Sequence, residues 1–257
     1  QHEIDHPDKA IADITESIKM QPDPVAYTMR GLVYSEVENY LQAESDFSYA
    51  LKRDPGKSEV WVLRAYARIE LGKVREAIQD CDEAIKIAPE SLGHYLTRAM
   101  AYNECERFED ALKDCEQMIR LRPDEASGYL IRGVTYVELH RWKEAIADLE
   151  RALKLDRLDG IEVDLLAEVA FLRAACPIEE LRNPSAALEL ATEAVNKSKG
   201  KSLRAHRALA AAHAALGDFA KATEAQKQTV KLADANEKAE EQERLALYEA
   251  RKPFRFK

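Results

Sequence analysis

Glycine and proline are scarce, nine of each in 257 residues, so the chain has few built-in breaks. No run alternates apolar and polar residues as a half-buried strand must, which removes the all-β classes and leaves helix throughout. No apolar run reaches the ~18 residues a membrane-crossing helix needs. Positive charge is in deficit. The net charge of -9 argues against nucleic acid or an anionic membrane as the main partner. There is no glycine-rich phosphate loop and no serine, threonine or cysteine with the local signature of an activated nucleophile. Gln1 does not open a secretory leader, although a processed start would read the same. The expected location is therefore the cytoplasm, with a processed exported form left open.

Histidine and cysteine are equally thin as ligand sets. His94, His140, His206 and His213 are dispersed, and the nearest pair, His206 and His213, has no thiol or carboxylate on its stripe. No metal and no cofactor is expected. Cys81 and Cys115 stand in a slot filled elsewhere by Phe47 and Leu149, and Cys105 in a slot shared with Val37, Leu71 and Leu139. All three are expected to pack as small hydrophobes, and free thiols fit a reducing compartment. The glutamates between Glu237 and Glu243 read as a solvated face.

What the chain has instead is a period of 34 residues running from Pro24 to Asp159. Alanine recurs at Ala43, Ala77, Ala111 and Ala145; glycine or alanine at Gly31, Ala65, Ala99 and Gly133; an aromatic opens each copy at Tyr27, Trp61, Tyr95 and Tyr129; proline closes three at Pro55, Pro89 and Pro123. Within one copy the apolar residues step by three and four, which makes two amphipathic helices. They are separated at Leu71-Gly72-Lys73, where glycine takes the left-handed turn, and the paired small residues let them approach closely. One such hairpin cannot cover its apolar face, so copies must stack.

The organisation that follows is a partial copy at 1–23 holding a second helix only, four regular copies at 24–57, 58–91, 92–125 and 126–159, a divergent hairpin with a long loop at 160–202, a hairpin at 203–236, and a capping helix with a basic tail at 237–257. The partial copy is expected to be preceded by a longer chain or, failing that, capped by residues 1–7. The tail Pro253–Lys257 is apolar and basic, a segment suited to the groove of a neighbouring molecule.

These columns resemble the tetratricopeptide repeat of the bacterial style, seen in Arg132-Gly133, Tyr136 and Ala145-Ile146-Ala147-Asp148. Ala175-Cys176-Pro177, Leu181-Arg182-Asn183, Gly217-Asp218-Phe219 and Tyr248 to Phe254 are similar to the C-terminal module that closes many long bacterial members. The resemblance implies an all-α fold, an α-solenoid coiled as a right-handed superhelix of antiparallel helix-turn-helix units. It implies a concave face, lined by first helices, that binds a peptide or partner protein without catalysing a reaction. The competing reading is a regulatory or substrate-recruiting domain of a larger enzyme, such as a kinase or transferase, with its catalytic part elsewhere. A homo-oligomer is permitted but not indicated.

Two sets of site residues follow. Arginine recurs at Arg30, Arg64, Arg98 and Arg132, and aspartate at Asp46, Asp80, Asp114 and Asp148; both columns are lost together in 203–236, where Leu209 and Ala225 stand. They are expected to be ion-paired within or between hairpins, the alternative being a solvated arginine row that binds acidic ligands. The groove is expected at Thr28, Met29, Leu32, Val62, Leu63, Tyr66, Leu96, Thr97, Met100, Asn103, Leu130, Ile131 and Val134, with acidic edges at Glu70, Glu104 and Glu138. The chaperone-binding members of the family hold a C-terminal carboxylate with lysines and asparagines. Thr28, Leu32, Leu63, Gly93 and Thr97 stand at the matching places, so an apolar or amphipathic ligand is expected.

Overall fold

The computed structural model describes residues 6–155 and 162–256. Among these the chain is all helix, with fourteen α-helices and no strand. It divides into two compact units, 1–123 and 124–257.

The first unit holds α1 (Pro7–Met20) and three hairpins, α2 with α3 (Pro24–Glu36, Tyr40–Arg53), α4 with α5 (Ser58–Glu70, Val74–Ile87) and α6 with α7 (Leu92–Glu104, Phe108–Leu121). The second holds α8 with α9 (Ala126–Glu138, Trp142–Leu153), α10 with α11 (Glu162–Ala175, Pro184–Lys197), α12 with α13 (Leu203–Ala215, Phe219–Leu232) and α14 (Lys238–Glu249). Several starts are written locally. Asp23 precedes Pro24, and its carboxylate accepts the Val25 N–H, while Asn183 does the same for Ala186 ahead of the Pro184 helix. Proline costs nothing there, because the first amides of a helix have no partner to lose.

The hairpin turns repeat with the period. Glu38, Gly72, Glu106 and His140 all take positive φ, between 55 and 71°, although only one is glycine. The turn geometry therefore outweighs the cost of a left-handed side chain, which is about 1–2 kcal/mol. Each hairpin closes on its small residue, and the residue facing it is matched in size. A Cβ on Gly31 would lie 2.6 Å from the Phe47 ring, and one on Gly133 would lie 2.7 Å from Leu149. Where the small residue is Ala65 or Ala99, the place of Phe47 is taken by Cys81 or Cys115, all four with no exposed surface. The pair keeps its summed volume while its members trade, as close packing demands.

Two of the copies are tied to the one before by the aromatic that opens them. The Trp61 indole N–H donates to the Pro55 carbonyl at 2.8 Å, and the Tyr95 hydroxyl to the Pro89 carbonyl at 2.9 Å.

In the second unit α10 is apolar over most of its surface, with Leu165, Leu166, Val169, Phe171 and Leu172 buried. Such a helix needs neighbours on several sides, and α9, α11 and α12 pack on it. The loop after it is held by Arg173, which donates to the Leu181 carbonyl at 3.0 Å and to Glu150 at 2.8 Å.

The tail expected to suit a neighbour's groove is docked on its own unit. Phe256 donates its N–H to the Ala175 carbonyl, and its ring lies 5.2 Å from Trp142 and 5.1 Å from Phe171. Phe254 stacks on Phe171 at 5.5 Å. Phe171 of α10 is thus covered by the two phenylalanines of the chain's own end.

The glutamate run is also not a uniform solvated face. Glu241 is fully buried. It accepts from Arg207 at 2.5 Å, Arg244 at 2.6 Å and Gln226 at 2.7 Å, while the Arg244 guanidinium lies 4.9 Å from the Phe254 ring. A buried carboxylate survives only when paired and hydrogen-bonded, and two arginines and an amide do this here.

Candidate functional site

The arginine column is built into the hairpins. Arg30, Arg64, Arg98 and Arg132 each make a two-pronged pair, through Nε and Nη2, with the aspartate sixteen residues later in their own hairpin. Contacts run from 2.6 to 2.9 Å. Arg30, Arg64 and Arg98 also reach back with Nη1 to the preceding second helix, at Thr15, Ser48 and Asp82. Aromatic rings flank the guanidiniums at the residues three before and four after. Tyr95 and Tyr102 lie 5.8 Å from Arg98, and Tyr129 and Tyr136 lie 5.8 and 6.0 Å from Arg132. The second copy substitutes Arg68 for the later tyrosine. Arg68 shares Asp80 with Arg64 and joins Lys73 on Glu44.

The electrostatics of one pair show what it costs. The hydrogen bonds it donates to Asp114 push the Arg98 guanidinium further up, so it stays charged. Burial raises the Asp114 carboxyl, and Arg98 opposes that without cancelling it. A charge pair in this setting contributes little net stability, but losing one partner strands the other.

The expected groove residues separate into three classes. Met29, Leu32, Tyr66 and Val134 are exposed; Thr28, Val62, Leu63, Leu96, Met100, Asn103, Leu130 and Ile131 are half-buried. Thr97 is buried, and its hydroxyl donates to the Gly93 carbonyl one turn back, so it is not available to a ligand. Leu130, Ile131, Val134 and the acidic edge Glu138 belong to the second unit, the others to the first. In the first unit Thr28 and Met29 line an apolar depression of about 190 Å³ with Pro24, Val25, Ala50, Asp54, Lys57 and Val60. One period later the place of Val60 is taken by His94, which is buried with Nδ1 3.1 Å from the Ala88 carbonyl. The smaller valine leaves the depression open. Tyr66 meets Tyr40 edge-on at 6.3 Å, with exposed Glu70 one turn further along α4.

Little chemistry is assembled elsewhere. Among the described residues no group of three or more His, Cys, Asp or Glu is placed to hold a metal, and no helix is long and apolar enough to cross a membrane. His206 rests against the Gly200 carbonyl, and burial lowers the His213 imidazole.

Cys105 departs from expectation. It is exposed, whereas Cys81, Cys115 and Cys176 are buried. Burial pushes the Cys81 thiol up to about 12, which removes thiolate at neutral pH. A maleimide added to the native chain is expected to label one thiol, at Cys105, and the other three only after urea; mass spectrometry of the digested adduct checks it.

Two family models, each described as tetratricopeptide repeat, match this chain, one at residues 28–91 and the other at residues 98–170. No curated protein matches by sequence. Among solved structures, the Cut9-Hcn1 hetero-tetramer of APC/C aligns over 94% of this chain at 16% identity with a TM-score of 0.77, and this chain spans 46% of that one. PilF of Pseudomonas aeruginosa aligns over 93% of this chain and 99% of its own at 18% identity and a TM-score of 0.67. YrrB, titled a TPR protein with an unusual peptide-binding site, aligns over 77% of this chain and 98% of its own at 16% identity and a TM-score of 0.55. At these identities the structures report the fold. With the two family matches falling on the same helix pairs whose columns recur every 34 residues, this chain belongs to the tetratricopeptide repeat family.

Proposed function

We propose that the chain is a non-catalytic scaffold whose first unit holds an apolar or amphipathic segment of a protein partner. The observation that carries this is the open apolar depression at Thr28, Met29 and Val60, together with Leu32 and Tyr66, large side chains left exposed on neighbouring first helices. Contiguous exposed apolar surface on a folded chain marks interaction sites. The arginines that would favour an acidic ligand are already engaged by their own aspartates, with side chains only 13 to 21% exposed. Glu70 at the end of α4 and Glu104 at the end of α6 are exposed and favour basic residues at the ends of the ligand. YrrB, which shares the fold, is described as binding peptide.

Selection of random peptides on the full chain tests the reading. Enriched sequences are expected to be amphipathic, and their affinity to fall about tenfold or more when Met29 or Tyr66 becomes glutamate, with helical circular dichroism unchanged. Undiminished binding, or enrichment of peptides that need a free acidic C-terminus, overturns it.

The arginine and aspartate columns are read as positioning groups that specify how hairpins stack. A double-mutant cycle of Arg98→Met with Asp114→Asn is expected to show coupling larger than the cycle with Asp82→Asn. The latter carboxylate is 43% exposed against 6% for Asp114.

A further inference from the structure

Within the first unit, aromatic rings and guanidiniums go together. Tyr27, Tyr34, Tyr49, Trp61, Tyr95 and Tyr102 each have the central guanidinium carbon of an arginine 4.5 to 5.9 Å from the ring centre. Arg98 shows the full arrangement, lying 5.8 Å from Tyr95 and from Tyr102 while it holds Asp114 with two prongs. Two rings and a carboxylate seat a guanidinium well, because the ring faces attract the cation and the carboxylate matches its fork.

Tyr40 and Tyr66 are the exception. Their rings meet edge-on, with centres 6.3 Å apart and planes at 73°, Tyr40 from the first residue of α3 and Tyr66 from α4. Among the described residues no arginine or lysine lies over either ring, and the nearby charges are negative. Burial raises the Tyr40 phenol, and Glu70 and Glu38 raise it further; burial and then Glu70 do the same to Tyr66. Tyr66, Glu38 and Glu70 are all exposed. Glu70 is the last residue of α4, where a carboxylate opposes the helix dipole, so helix stability does not account for it.

We propose that this corner, Tyr40 and Tyr66 with Glu70, is a specificity site that receives one arginine side chain of a protein partner. The guanidinium lies on the exposed ring of Tyr66, against Tyr40, and donates to Glu70 as Arg98 donates to Asp114 between Tyr95 and Tyr102. Glu38 adds attraction from the turn before α3. Arginine is preferred to lysine, because an ammonium neither stacks flat on a ring nor gives a carboxylate two parallel bonds. This assignment rests on the reading of the first unit as a scaffold for a protein segment, and it adds the residue of that segment which is read.

Random peptides are selected in parallel on the full chain and on its Glu70→Gln variant, which neutralises an exposed carboxylate at a helix end and keeps the fold. On the parent, an arginine at one fixed place relative to the apolar residues is expected; on the variant, the apolar residues persist and the arginine preference is lost. The best parent peptide is then resynthesised with that arginine as citrulline, its neutral isostere, and as lysine. Citrulline is expected to weaken binding to the parent about tenfold and lysine about threefold, and the citrulline penalty to shrink to about threefold or less on Glu70→Gln and on Tyr66→Leu. Enriched peptides without a fixed arginine, a citrulline penalty unchanged in Glu70→Gln or Tyr66→Leu, or lysine serving as well as arginine overturns the assignment and leaves the scaffold reading in place. No enrichment on either chain overturns both.

Discussion

Replacing Gly133 by alanine is expected to destabilise the second unit by about 1–3 kcal/mol, although glycine to alanine in an exposed helix gains about 1 kcal/mol. The added Cβ lies 2.7 Å from the Cγ and Cδ2 of Leu149 and 3.3 Å from the Ala145 carbonyl oxygen. Leu149 has no exposed surface and nowhere to withdraw. Overpacking therefore outweighs propensity. The decisive result is the double variant. Leu149→Cys alone opens a cavity and costs about 2–3 kcal/mol by analogy with other large-to-small core changes. Combined with Gly133→Ala it recreates the alanine and cysteine pair of the two middle copies. The double variant is expected to lose less than the two singles summed, by about 1–3 kcal/mol in urea denaturation. Additive losses would mean the two residues do not share one packing site.

Removing the carboxylate of Glu241 is expected to cost more. Glu241→Ala takes from Arg207 and Arg244 their shared buried counter-ion, leaving Arg244 the exposed Glu240 and Arg207 only Glu237 at 3.7 Å. Breaking a buried pair in this way costs about 3–5 kcal/mol. Stacked repeats unfold from the ends, so the loss is expected to appear as early melting of α13 and α14 before the rest. Arg244 also lies over Phe254 and Phe171, and Phe256 lies against Trp142. Release of the tail is therefore expected to change the Trp142 fluorescence at the same denaturant concentration. Glu241→Gln, which keeps an acceptor for one arginine, is expected to fall between. An alanine variant as stable as the parent would show that the cluster contributes nothing.

The repeat was legible because its constraints are local and periodic. Small residues, turn positions and helix faces recur at fixed spacing, and the left-handed turns at Glu38, Glu106 and His140 fall on the period set by Gly72. The charge columns were visible as columns, but their pairing was not. An aspartate in the same hairpin and one in the adjacent hairpin satisfy the same period, and only the geometry pairs Arg98 with Asp114 rather than with Asp80, which Arg64 holds. The exposure of Cys105 was missed because its slot holds Val37, Leu71 and Leu139. An apolar slot was equated with a buried one, yet Val37 itself is 43% exposed at the end of its helix. Glu241 was missed because its burial depends on Arg207 in α12 and on a tail that folds back from the far side of the capping helix. No spacing along α14 encodes either. The N-terminal cap considered for residues 1–7 lies largely outside the described residues, and so does Arg157, which in the fourth copy stands where Pro55, Pro89 and Pro123 close the other three.

The placement of the ligand in the first unit is open to one direct observation. The chain has four methionines, all in that unit. Met29 is exposed at the depression, Met100 is half-buried among the candidate groove residues, Met118 is 1% exposed in the core, and Met20 is 87% exposed at the end of α1. With methyl-13C methionine, a peptide selected on the full chain is expected to shift the Met29 and Met100 methyl resonances in proportion to occupancy, leaving Met118 and Met20 in place. Shifts confined to Met20, or saturation of binding with all four methyls unmoved, would contradict a ligand site on the first helices.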